Sequence, residues 1–280
     1  MTNAEGLDHW SGAAGDHWAA EAERYDRMNH RFAELLLDAI DPRPGEWFLD
    51  VGCGNGATTL AIARDVGSGG RVFGLDLSRQ MLDVARRRLD ASRLRNVELL
   101  HGDAQVYDLS KLDADAVVSR FGVMFFADAQ AALANLATAL RPGGRLAFTC
   151  WQDMAINDWV MVPVVAAIAH VPVPQGLGGS AAQGAFSLAD PEVTTALLEA
   201  AGFVDVALEK VAAPMWMGSS LDDAMAFMRT TEFATALFSG VEPARAEAGW
   251  AAVAEALADH VGAKGVELQG QAWLVTARRP

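Results

Sequence analysis

Apolar positions along this chain fall into two alternating spacings. Short apolar runs occupy residues 47–51, 71–76, 96–100, 114–119 and 145–151, each with the length of a buried parallel strand. Segments of helical period lie between them. Residues 58–65 form one, and residues 78–91 place Met81, Leu82, Ala85 and Leu89 on a single face. Residues 128–140 do the same with Leu133, Leu136, Ala137 and Leu140. Strand and helix alternate through this stretch, which predicts an α/β core around a mostly parallel sheet.

The flanks are more helical. Trp10, Trp18 and Tyr25 are seven or eight residues apart within 8–29, a helical-face spacing that Gly12 and Gly15 interrupt. Residues 30–40 form an amphipathic helix through Phe32, Leu35, Leu36, Ala39 and Ile40, stopped by Pro42 and Pro44. Residues 156–170 read as a helix kinked at Pro163, and the Pro- and Gly-rich 171–187 as a mobile loop. A helix over 190–201 begins at Asp190-Pro191, with Gly202 as its cap, and a strand over 203–208 follows. Two more helices are expected over 221–238 and 243–261, then a last strand over 271–278. The resulting division is a helical lid at 1–29, a core at 30–151, a lid insertion at 152–187, core again at 188–212, a helical lid at 213–269 and a final strand at 270–280.

Composition narrows the function classes. The 280 residues carry a formal charge of −14, which argues against a nucleic-acid partner. Cys53 and Cys150 have no spacing that suggests a disulfide or a metal site, so no metal is expected and a reduced, cytoplasmic setting is. The first residues show no secretory signal, and the longest apolar run, 159–169, is too short for stable membrane insertion.

The candidate chemistry centres on 48–59, FLDVGCGNGATT. A strand, three alternate glycines (Gly52, Gly54, Gly56) and a helix start together make a cradle for a small anionic ligand. Gly52, Gly54 and Ala57 also satisfy the dinucleotide fingerprint, and a ligand-free glycine turn is the bland alternative. Asp76 closes the next strand 20 residues after Gly56, where a carboxylate can accept from both ribose hydroxyls.

Asp50 with the three glycines resembles motif I of the class I S-adenosylmethionine (SAM) methyltransferases. Asp103-Ala104 after the third strand and Leu140-Arg141-Pro142-Gly143-Gly144 before the fifth follow in that family's order, and 119–126, SRFGVMFF, resembles the ubiquinone/menaquinone C-methyltransferase branch. The resemblance implies a Rossmann-like, seven-stranded sheet whose last strand is antiparallel, with helical lid insertions. It implies SAM as cofactor and S-adenosylhomocysteine (SAH) as product, held by Asp50, Gly52, Cys53, Gly54, Asn55, Gly56, Asp76, Leu77, Met81, Gly102, Asp103, Ala104, Ser119, Arg120 and Phe121. It also makes Asp103 the partner of the adenine amine. The metal-binding carboxylate of catechol-type enzymes is replaced by Ser119, and no Asn/Asp-Pro-Pro-Tyr tetrad of DNA amino-methyltransferases is present.

An acceptor pocket lined by Trp10, Trp18, Tyr25, Phe121, Phe125, Trp151, Trp159, Trp216 and Met217 would suit a small aromatic or prenyl-like molecule, methylated on carbon or oxygen. His17, Arg120 and Glu232 are the candidate catalytic groups, with His170 a further histidine to place. The apolar inserted helices could serve a homodimer as easily as a lid. Two rivals stay open: a non-catalytic SAM-binding protein, and a nicotinamide-dependent oxidoreductase, whose Tyr-x-x-x-Lys pair is read as missing at Tyr25 and Tyr107.

Overall fold

The computed structural model describes residues 3–172 and 184–280. Four helices come first: α1 (Asn3–Ser11), α2 (Ala13–Ala20), α3 (Ala22–Met28) and α4 (His30–Ile40). Gly12 separates the first two, as its place in the pattern suggests, whereas Gly15 stays helical, and a Cβ there would clash with the Trp10 carbonyl and Ser78 Oγ. Helix α4 buries Phe32, Leu36 and Ile40 and stops at Asp41 in the left-handed region.

The core then alternates as expected: β1 (Trp47–Val51), α5 (Ala57–Val66), β2 (Arg71–Asp76), α6 (Arg79–Ala91), β3 (Val97–His101), β4 (Ala114–Arg120), α7 (Ala129–Ala139) and β5 (Leu140–Trp151). Ser78 and Asp128 cap α6 and α7 by accepting the Met81 and Ala131 amides. The Arg-Pro-Gly-Gly turn falls inside β5 as a register shift, and regular pairing with β4 begins at Arg145. Helices α8 (Asp158–Ala167), which contains Pro163, and α9 (Pro191–Ala200), capped by Asp190, follow. Most of the loop expected over 171–187 lies outside the described residues.

The last third differs from the expectation in two respects. Strand β6 (Val204–Gly218) and strand β8 (Gly265–Arg278) are each far longer than the sequence pattern suggested. Between them stand α10 (Leu221–Met228), α11 (Glu232–Phe238), α12 (Pro243–Ala258) and a two-residue strand β7 (Val261–Gly262) hairpinned onto β8. The helix expected over 221–238 breaks in two because Thr231 caps a new start, its hydroxyl accepting the Ala234 amide. Residues 213–218 and 265–269, assigned to a helical lid from sequence, are strand.

The sheet order is β3-β2-β1-β4-β5-β8-β6, with β7 beside β8 as an eighth, marginal strand. Strands β1 to β5 are parallel, and β8 is antiparallel to both β5 and β6, inserted between them. Strand β5 pairs only with residues 272–278 of β8. Residues 212–218 and 266–271 therefore continue as a two-stranded ribbon beyond the carboxyl edge of the parallel strands. No helix among the described residues is long and apolar enough to cross a membrane.

Candidate functional site

The carboxyl ends of β1 to β4 open on a single cleft, roofed by the first three helices. Its floor is the glycine turn. Gly52, Gly54 and Gly56 have φ of 66°, 82° at Gly56 and 52° at Gly54, all in the region glycine favours. A Cβ on Gly52 would stand 3.0 Å from Gly122 Cα, so these two glycines let the ends of β1 and β4 touch. Gly56 serves packing instead: its Cβ would meet Ala85 Cβ of α6 at 2.9 Å, and Gly56 does not line the cleft.

Two buried carboxylates flank the turn. Asp50 accepts from Thr59 Oγ1 at 2.6 Å, and burial pushes its carboxyl up to about 7. Asp76 accepts from the Gly54 amide at 2.7 Å and the Ser78 amide at 2.7 Å. Burial holds its carboxyl above the ordinary value although these backbone donors pull the other way. Each Asp76 oxygen keeps a lone pair for a further donor. Asp103 is bonded by the Gln105 amide and side chain, and Ala104 lies beside it on the cleft wall.

The opposite wall is aromatic. Trp18 stacks on Tyr25 with ring centres 3.6 Å apart, and Trp10 meets Phe125 edge-on at 5.1 Å. Phe121 lines the cleft at φ 60°, a left-handed conformation imposed at the end of β4. Three residues on the lining, Asn29, Asn55 and Thr58, each hold a buried side-chain oxygen with no protein partner. A cleft that leaves three buried oxygens unpaired is built for a ligand that brings donors. SAM, with its ammonium group and ribose hydroxyls, fits that requirement.

The expected cofactor residues converge here, with two exceptions. Besides Gly56, Ser119 is buried behind the wall, donating to the Val51 carbonyl at 2.7 Å and accepting the Gly122 amide. Of the expected acceptor residues, Trp10, Trp18, Tyr25, Phe121 and Phe125 line the cleft, whereas Trp151, Trp159, Trp216 and Met217 do not. Trp151 is core, stacked on the far side of Phe121 at 4.0 Å, and Trp159 packs against it. Trp216 lies on the ribbon under Arg27, and Met217 is buried there.

The three candidate catalytic groups are dispersed. Arg120 lines the cleft, with Nη2 3.3 Å from Asp26. His17 stands behind the wall, with Nε2 3.0 Å from the Tyr25 hydroxyl. Burial raises the Tyr25 phenol above its ordinary value. Glu232 starts α11 with a side chain 53% exposed, 3.5 Å from His9, and lies off the cleft lining. The helix break at 229–231 is the reason. His170 also lies off the cleft lining, its carbonyl accepting from Arg245.

Sequence reasoning missed Asp26, Asn29 and Gln105. A signal existed for Asn29, which follows Trp18 by eleven residues and Tyr25 by four, both helical spacings. Tyr107 and Lys111 do have a Tyr-x-x-x-Lys spacing, but Lys111 is exposed beside Asp108, Tyr107 packs on Gly102, and neither lines the cleft.

Comparison with known proteins agrees with this geometry. Residues 48–144 match the family model described as "Methyltransferase domain". The chain is 39% identical over 129 residues to aklanonic acid methyltransferase DauC of Streptomyces sp. (strain C5), a match covering 45% of this chain and 59% of that protein. It is 33% identical over 181 residues to nocamycin O-methyltransferase of Saccharothrix syringae, covering 62% of this chain and 65% of that protein. The chain thus spans less than two thirds of the length of these relatives. Phosphoethanolamine N-methyltransferase 2 of Haemonchus contortus, solved with S-adenosyl-L-methionine, superposes with a TM-score of 0.63 at 19% identity, covering 98% of this chain and 60% of that one. Residues 48–144 are thus similar to a methyltransferase domain, and the chain has the Rossmann-like fold of the solved methyltransferase it superposes on.

Proposed function

We propose that this protein transfers a methyl group from SAM to a small, largely apolar or aromatic acceptor, on carbon or oxygen, beneath a lid formed by α1 to α3. One observation carries this reading: a single cleft sets the glycine turn, Asp50, Asp76 and Asp103 against the aromatic wall of Trp10, Trp18, Tyr25, Phe121 and Phe125. Bound SAM supplies an electrophilic methyl group on a sulfonium. The chain's own residues then bind, orient and exclude water. Asp76 would hold the ribose hydroxyls and Asp103 the adenine amine. Asp50, Asn29, Asn55 and Thr58 offer oxygens to the amino-acid end. The stacked Trp18 and Tyr25 would cover the transfer and shape the acceptor site.

Where the acceptor is a hydroxyl or an acidic carbon, Tyr25 with His17 behind it is the arrangement best placed to pass on a proton, ahead of Arg120, whose guanidinium is held by Asp26. The relatives' printed names, a nocamycin O-methyltransferase and an aklanonic acid methyltransferase, support a small acceptor.

Titration calorimetry with SAH and with NADPH tests the cofactor, and a screen of small phenols, enols and carboxylic acids read by mass increase tests the transfer. Saturable SAH binding with no NADPH binding is expected. Binding of NADPH alone would overturn the reading. SAH binding together with a failure to methylate any acceptor in a broad screen would favour a SAM-binding protein without transfer.

A further inference from the structure

We propose that a second groove, at the opposite edge of the sheet, binds a diphosphate-bearing small molecule. This groove, open to solvent and with exposed arginines on its lining, measures about 620 Å3 at the amino ends of β2 and β3 and shares no residue with the cofactor cleft. Four arginines line it: Arg64 from α5, Arg71 at the start of β2, and Arg93 and Arg95 from the loop before β3. The lining holds one acid, Glu98, and it is taken by Arg71 at 2.5 Å. Arg64, Arg93 and Arg95 have no carboxylate partner among the described residues. Arg95 reaches only the neighbouring Leu94 carbonyl.

A chain with 36 acids and 22 basic residues has gathered cations here and left them without counter-charge. Such a concavity concentrates anions, and guanidinium forks match phosphate oxygens two at a time. The rim is also fixed in place. Asn96 Nδ2 donates to the Ala63 and Gly67 carbonyls, both at 2.9 Å, tying the arginine loop to the end of α5. Ser68 and Gly70 of the adjoining turn also line the groove, and the Ser68 amide finds no backbone acceptor among the described residues. The volume is that of a small-molecule site, larger than one phosphate needs.

The test is calorimetric titration of the full chain, saturated with SAH, with inorganic pyrophosphate and separately with ADP at low and moderate salt. Pyrophosphate binding that weakens with salt, and falls at least about tenfold in R93S/R95S, is expected. Equal affinities for the two probes would mean that the phosphates alone are read. A tighter ADP complex would seat the nucleoside in the same groove. Thermal unfolding checks that R93S/R95S is folded, and R64S gives an independent, single-site loss if it is not. Absence of pyrophosphate binding at low salt, or binding undiminished in folded R93S/R95S, overturns the proposal. SAH saturation keeps this outcome separate from anything that happens in the cofactor cleft.

Discussion

Asp50 is buried among strands, and its carboxyl is pushed up to about 7 by that burial. Its unfolded value is about 3.9. Between these pH values the folded protein keeps a proton that the unfolded chain has released. Asp50 therefore favours the fold most below about pH 4, and that contribution is lost as pH rises towards 7. Asp76, raised in the same direction, adds to the slope. Asp50→Asn should flatten it, so urea unfolding at pH 5 and pH 8 should give closer midpoints for the variant than for the parent. Asp76→Ala removes the acceptor of two backbone amides and, on the proposed function, of the ribose as well. Hydrogen bonds to a charged partner contribute about 1.5–3 kcal/mol, so SAH affinity should fall roughly 10- to 100-fold by calorimetry.

At the scale of elements, the glycines divide by what surrounds them. Gly56→Ala places a methyl 2.9 Å from Ala85 Cβ at φ 82°, forcing α5 and α6 apart as well as straining the backbone. Gly202→Ala, at φ 89°, meets nothing within 4 Å and bears the backbone strain alone. Thermal unfolding should rank the first as the more damaging, by about 1–3 kcal/mol. The same elements show how far the sequence could be read. Helix α4 was legible to the residue because a strict apolar stripe ends in two prolines. The place of Asp76 on the cleft was legible because it closes a strand at a fixed spacing from the glycine turn, and that of Asp103 because the resemblance puts an acid after the third strand. The ribbon was not, since Pro214 and Gly218 punctuate Ala213–Gly218 and its three consecutive large apolar residues hide the period of a strand. Asp26 was invisible for another reason: its partners, Arg88 and Arg120, lie far along the chain, and no local period encodes them.

For the whole molecule, that aspartate decides how the roof meets the core. Asp26 on α3 lies 2.7 Å from Arg88 and 3.3 Å from Arg120, all three partly buried, and Arg88 also donates to the Asn55 carbonyl of the glycine turn. Asp26→Asn should loosen α1 to α3 by about 1–2 kcal/mol, between the values of exposed and buried pairs. Faster amide exchange confined to residues 3–28, with the sheet unchanged, is the expected result. Arg24 grips the far side, bonding the Met217 carbonyl and Asp223. The roof is thus anchored both to the parallel strands and to the ribbon.

The insertion of β8 between β5 and β6 has a consequence during synthesis. Until the final strand leaves the ribosome, Leu146, Ala147 and Phe148 present a bare hydrogen-bonding margin of high β-propensity to any passing chain. Aggregation of nascent or truncated polypeptide should therefore begin at that margin, and a chaperone that shields it would raise the yield of native protein.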